Sequence, residues 1–236
     1  MIEAAVGTGP DAGPDAGPDA APTAAAAYLG QVLDDLVAEH TTVEAPVIAA
    51  RRLFEERRGR VFEDEELWEV WSAGFVEWLV VEYVADGATL PAAAGSLARA
   101  RVAGDLRRAA AIRAWMMSHR SLWSVEKLGL GFVELFDLLG GARVRVAESR
   151  ALHGVAIGEV AELRVIGFED VVRFGRAFLF HPRGTRDALI EQARVITGDG
   201  GDRRAVLDHA ATLRSKVLRY RHVPPARLYE RGATKA

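Results

Sequence analysis

Residues 121–148, SLWSVEKLGLGFVELFDLLGGARVRVAE, decide the architecture. Here the hydrophobic pattern changes to a period of two, and the pairs of glycines at Gly129 and Gly131 and at Gly140-Gly141 supply the residues that tight hairpins demand. The pattern runs on through five short segments, residues 122–128, 132–138, 143–148, 159–166 and 171–180. Five strands with close antiparallel connections predict a small sheet that curls, or a partly open barrel of the OB or Src-homology kind. In the last strand Phe174, Phe178 and Phe180 alternate against Arg173 and Gly175.

Upstream of this stretch the period is helical. Residues 9–21, GPDAGPDAGPDAA, offer nothing apolar larger than alanine, so residues 1–22 are expected to be a disordered tail. Leu29, Val32, Leu33, Leu36 and Val37 recur at three and four and predict an amphipathic helix ending near His40. Thr41 and Glu44 resemble a capping box for a second helix over residues 43–58, which Gly59 ends. The acidic run at residues 63–66 stands at the positive end of a third helix, over residues 67–84. Its Trp68, Trp71, Phe75 and Trp78 fall on one face, a spacing that reads as core rather than as a stacking platform for bases. The Ala- and Arg-rich residues 92–118 predict a fourth helix, with arginines spread around its axis and matched by acids such as Glu65, Glu66 and Glu69.

Downstream of the strands, Thr185 is placed to cap a helix reaching Ile196, the glycine-rich residues 198–201 break it, and Asp202 caps a last helix to about Tyr220. The chain therefore divides into the tail, a helical region over residues 23–120, a β-module over 121–181 and C-terminal helices over 182–236, an α+β arrangement.

Composition narrows the chemistry. The 236 residues are 50% hydrophobic and 27% charged, as in soluble globular chains, and contain no cysteine. Disulfides, thiolate zinc sites, iron–sulfur clusters and cysteine nucleophiles are thereby excluded. No apolar run approaches the ~20 residues that cross a bilayer. The first fifty residues hold no Lys or Arg, so the basic start of a secretory signal is missing and a cytoplasmic location is expected. Charge is unevenly distributed. Residues 1–90 carry 18 acids and 5 bases, residues 91–202 carry 13 and 16, and residues 203–236 carry 2 and 9, for a net charge of -3. An acidic front and a basic end can pair internally or between subunits, or can offer the basic end to an acidic protein surface or a nucleic acid.

The segments SLWSVEKL, VELFDLLGGARVRVAESRAL and GEVAELRVIGF, following WEVWSAGFVEW, resemble a group of uncharacterised bacterial proteins. In that group a Trp-rich helical region precedes a small β-module, and members often carry a C-terminal cysteine-rich SEC-C zinc motif. The resemblance spans roughly residues 67–196. Without cysteine this chain cannot hold that zinc. The resemblance implies instead that the basic helix after Asp202 stands in the motif's place as a partner-binding element, and it brings no activity with it.

No residue pattern prepares a catalytic or metal site. His40, His119, His153, His181, His209 and His222 include no pair three or four apart, and no cofactor is expected. Ser118, His119 and Ser121 lie close in sequence, but no nucleophile elbow accompanies them. Residues 198–202 lack the regular oxygen ligands of a calcium loop and read as a turn with a cap. One cluster suits an anion: His181, Arg183, Thr185 and Arg186 flank an expected helix N-terminus. In the last helix Leu207, Ala211 and Leu218 can face the body while Arg214, Lys216, Arg219 and Arg221 reach outward to a partner. The expected function is a non-enzymatic interaction or scaffold subunit that docks on an acidic surface through this helix or self-assembles. The alternatives are a nucleic-acid-binding module and an enzyme whose site is assembled from distant residues.

Overall fold

Strands β1 (His119–Gly129), β2 (Phe132–Asp137), β3 (Arg143–Ala147), β4 (Val160–Phe168) and β5 (Val171–Phe180) form one sheet in the order β3-β2-β1-β4-β5, antiparallel throughout. The computed structural model describes residues 20–149, 152 and 154–231. The Gly/Pro/Asp/Ala repeat up to Asp19, His153 and Lys235 lie outside the described residues. Register irregularities between Val125 and Lys127 and between Leu163 and Val165 strengthen the local twist. The edges β3 and β5 come alongside one another without a ladder joining them, so the sheet curls but does not close. At the β4–β5 turn Glu169 and Asp170 adopt φ of 48° and 60°, the left-handed pair that a two-residue hairpin requires, and Arg107 holds the Glu169 carboxylate at 2.8 Å.

Five helices precede the sheet: α1 (Ala20–His40), α2 (Glu44–Arg58), α3 (Trp68–Val81), α4 (Ala92–Val102) and α5 (Leu106–Met116). The single helix expected over residues 92–118 is thus two. Gly104 takes a φ of 73°, and the Asp105 carboxylate then accepts from the Arg108 amide at 3.0 Å to start a new helix. The capping box expected at Thr41 does not form either. Its hydroxyl donates back to the Val37 carbonyl at 2.8 Å, and Val43 precedes α2 without a side-chain cap. Three helices follow the sheet: α6 (Arg186–Gly198), α7 (Arg203–Arg219), which Asp202 caps through the Ala205 amide, and α8 (Pro225–Arg231), which the sequence pattern did not predict.

Packing explains the order of these layers. The concave face of the sheet presents Trp123, Val125, Val133, Leu135, Ala161 and Leu163 to its own interior. The outer face is covered in three sectors: Leu122 and Val160 by α6, α7 and α8, Ile166 and Phe168 by α1 and α5, and Leu179 by α2 and α3. In the last sector Trp71, Phe75 and Trp78 are buried around Phe54, with ring centroids 4.8, 5.5 and 5.2 Å from it. The aromatic stripe is core at these three positions. Trp68 is only half-buried, and the Arg51 guanidinium lies 5.1 Å above it. No helix of the described residues is long and apolar enough to cross a membrane.

Candidate functional site

The chain leaves β5 at Phe180 and turns through His181 and Pro182 toward α6. His181 is buried, and its amide donates to the Val160 carbonyl at 2.9 Å. Its Nδ1 lies 2.8 Å from the Tyr229 hydroxyl, while Nε2 has no partner. Burial drives the imidazole pKa down to about 4; the attraction of Glu162 opposes this, and the Arg214 and Arg58 charges reinforce it. Burial likewise raises the Tyr229 phenol. His181 is therefore neutral at pH 7 and adds no charge to an anion site.

Of the four residues proposed to surround an anion, His181 and Arg183 line one cleft, whereas Thr185 and Arg186 are not part of its lining. Thr185 is buried, and its hydroxyl donates to the Pro182 carbonyl at 2.7 Å instead of capping α6. Arg183 and Arg186 are exposed, and Arg183 donates to Glu159 at 2.7 Å. What the fold brings together is a different set. Arg183, Arg214 and Arg221 share an open cleft of about 550 Å³ between the end of β5, the last turns of α7 and the start of α8, where Glu66 is the acidic neighbour. Arg214 does not reach freely outward. Its side chain is 13% exposed, Nε donates to the Phe180 carbonyl at 2.9 Å, and a terminal nitrogen lies 3.4 Å from Glu66. Arg221 donates to the Leu218 carbonyl at 3.3 Å on the cleft wall. Lys216 is exposed, and Arg219 donates to the Arg60 carbonyl, so Arg214, Lys216, Arg219 and Arg221, the last just beyond α7, divide between holding α7 in place and facing solvent.

Sequence spacing missed a buried ionic network where α2, α3, β1, β4 and α7 meet. One Arg58 nitrogen donates to both Glu162 oxygens at 2.8 Å and the other to Asp208 at 3.0 Å. Arg120 joins Glu162 at 3.0 Å to Glu82 at 2.9 Å. Arg164 pairs with the same Glu82, with Glu77 at 3.2 Å and with the Ser118 hydroxyl at 2.9 Å. For Glu82, burial acts to raise the pKa, but Arg120 and Arg164 outweigh it and hold the carboxyl at about 2. Glu162 is held low for the same reason, by Arg58 and Arg120 against its burial. Each carboxylate accepts from at least one guanidinium, so the network holds elements together. One signal did exist: Glu77 stands inside GFVEWLVV, and Glu162 and Arg164 inside VAELRVIGF, charges in runs otherwise fit for burial.

A second polar cluster joins Ser121, His119 and Arg203 at Asp137. The buried carboxylate accepts from the Ser121 hydroxyl, from the Leu139 amide at 2.9 Å and from Arg203 at 3.4 Å, and His119 Nε2 lies 2.8 Å away. Burial would raise Asp137, yet these hydrogen bonds lower it. The connectivity is wrong for nucleophilic catalysis, because the serine donates to the acid instead of to the imidazole. Ser118 is likewise engaged, donating to the Trp115 carbonyl. Among the described residues no group of three or more His, Asp or Glu side chains is placed to hold a metal ion. Comparison with family models, with curated proteins and with solved structures finds no match to this chain.

Proposed function

We propose that this chain is a non-enzymatic interaction subunit whose cleft at the β5–α7–α8 corner receives an acidic segment of a protein partner. The observation that carries the reading is the meeting of Arg183, Arg214 and Arg221 on one open concavity, with Glu66 and the neutral His181 also in its lining. A guanidinium offers five donors, and Arg183 and Arg214 retain donors beyond the bonds they make to Glu159, Phe180 and Glu66.

The structure also refines how the reading is tested. Arg214 and Arg219 anchor α7 through the Phe180 and Arg60 carbonyls, so reversing them would disturb the fold together with any docking surface. Arg183→Glu with Arg221→Glu spares those anchors. Affinity purification of the tagged full chain at low salt, followed by identification of co-purifying proteins, should recover an acidic partner that the double variant loses and that rising salt releases. A partner retained equally by the variant would overturn the reading. Retention on nucleic acid with a steep salt dependence, lost in the same variant, would establish the nucleic-acid alternative instead.

A further inference from the structure

We propose that the interior of the curled sheet is a binding site for a small, uncharged, largely hydrocarbon molecule, independent of the basic cleft. A cavity of about 280 Å³ lies on the concave face, walled by Val125 of β1, Leu135 of β2, Ala161 and Leu163 of β4, and Phe174 and Phe178 of β5. Among the described residues ten line it, and none of these ten has a side-chain nitrogen or oxygen. Its origin is legible in the strands. Ala161 is the smallest of the inward residues and pairs in register with Phe180, and the five-residue β3 forms no ladder with the ten-residue β5, so the interior is left unfilled beside an open seam. Phe174, Phe178 and Phe180 consequently remain partly exposed although they point into the cluster, with the first two rings 5.1 Å apart and tilted by 60°.

The lining selects its occupant. Water needs two to four polar partners to occupy a cavity, and the ten described lining side chains offer none, so they favour an apolar guest over solvent. A charged ligand would lose hydration with no counter-charge among these ten residues to replace it. The walls belong to four strands curving around the space and to Leu152 and Val155 on the connection into β4, a concavity suited to a compact guest. On the scale by which an apolar cavity of about 150 Å³ takes benzene, this one accommodates about ten to twelve non-hydrogen atoms. Fused or substituted aromatic hydrocarbons match that size and can lie against the Phe174 and Phe178 rings.

Naphthalene is a suitable probe. Titrated into the full chain carrying isotope-labelled methyl groups, it should bind saturably at one molecule per chain. The resonances that move should be those of Val125, Val133, Leu135 and Leu163, while methyls in the outer clusters, such as Leu33 and Leu207, stay in place. Ala161→Phe should fill the hollow and weaken binding at least ten-fold with the melting temperature unchanged or raised. Absent saturation, shifts centred on the outer clusters, or undiminished binding by a folded Ala161→Phe chain would each overturn the proposal. Should that variant not fold, the methyl map of the parent chain decides alone. Arg183→Glu with Arg221→Glu should leave naphthalene binding unaffected, which separates this site from the cleft.

Discussion

The two faces of β4 put opposite chemistry one residue apart. Glu162 and Arg164 face outward into buried ion pairs, whereas Ala161 and Leu163 face inward onto a hydrocarbon hollow. Both faces are shielded from water, yet they are completed differently. Charges cannot be left incomplete in a low dielectric, so Glu162 and Arg164 are met by Arg58, Arg120, Glu77 and Glu82 from elements distant in sequence. Apolar walls around an unfilled space forfeit dispersion contacts but leave no charge unmet, so a hollow costs less there than an unpaired ion would on the other face. The contrast teaches where openness is affordable in this fold: the polar layer fixes helices to sheet, and the apolar layer keeps room for a guest.

The largest effect should come from breaking the polar face. Glu162→Ala removes the carboxylate that Arg58 and Arg120 share, leaving Arg58 with only Asp208 and Arg120 with only Glu82, and a loss of about 3–5 kcal/mol is expected from the usual cost of removing one partner of a buried pair. Urea unfolding monitored by tryptophan fluorescence checks it. Trp71→Ala, which empties a filled aromatic core, should cost a similar ~3–5 kcal/mol. A mild Glu162→Ala phenotype would mean that water enters the network, and the contrast between the faces would collapse.

Acid should then attack the polar layer in two stages. His181 titrates at about 4 when folded against 6.5 when unfolded, so between those values the unfolded chain binds the extra proton. Stability falls as pH drops through this window, by about 3 kcal/mol when the pKa difference is converted at 1.36 kcal/mol per unit. Glu82, held at about 2 against 4.5, adds a contribution that is complete above pH 4.5 and is lost as pH falls toward 2. Melting temperatures from pH 8 to pH 3 should show both limbs, and His181→Asn should abolish only the upper one.

These residues also mark how far the sequence could be read. The switch of period near Ser121 located all five strands to within about three residues, because alternation and glycine turns are local properties. The break at Gly104-Asp105 was equally local, a left-handed glycine before a capping aspartate, and was overlooked inside an Ala-rich run. The ionic network was of another kind. Arg58 and Glu162 stand 104 positions apart, and no pattern within either segment names the other. The basic cleft was half legible: the two clusters of basic residues were visible, but their meeting depends on α7 returning past the end of β5. The hollow was illegible, since inward apolar residues look the same whether or not they fill their space.

A middle-sized effect should distinguish arginines that hold the fold from bases that only face solvent. Arg214→Ala removes the donor to the Phe180 carbonyl and should destabilise by about 1–2 kcal/mol, the typical consequence of losing a partner for a half-buried polar group. Lys216→Ala, on the exposed side of the same helix, should change stability by less than about 0.5 kcal/mol. Equal effects in thermal melts would show that the Phe180 contact contributes nothing, and would return Arg214 to the free docking surface.

The smallest effect concerns the acidic front. Asp34 and Asp35 of α1 pair with Arg176 and Arg108, so part of the front's charge is neutralised within the chain. Arg176 donates to both Asp34 oxygens at 2.6 and 2.8 Å, and this hydrogen bonding lowers the Asp34 pKa although burial opposes it. Arg176 meets the two Asp34 oxygens with two nitrogens where Arg58 meets both Glu162 oxygens with one, and solvent access differs as well: the Asp34 and Arg176 side chains are 56% and 40% exposed, against 5% for Glu162 and 7% for Arg58. Screening and competing water should therefore reduce the Asp34–Arg176 coupling to below about 1 kcal/mol. A double-mutant cycle with Asp34→Asn and Arg176→Gln measures it, and repeating the cycle at 1 M salt should remove most of the coupling because the screening length contracts to about 3 Å. The same salt should leave the destabilisation by Glu162→Ala nearly unchanged, since ions do not penetrate between α2 and the sheet. If both respond alike, burial is not what separates the two pairs, and the outer face of β4 must be as accessible to solvent as the surface of α1.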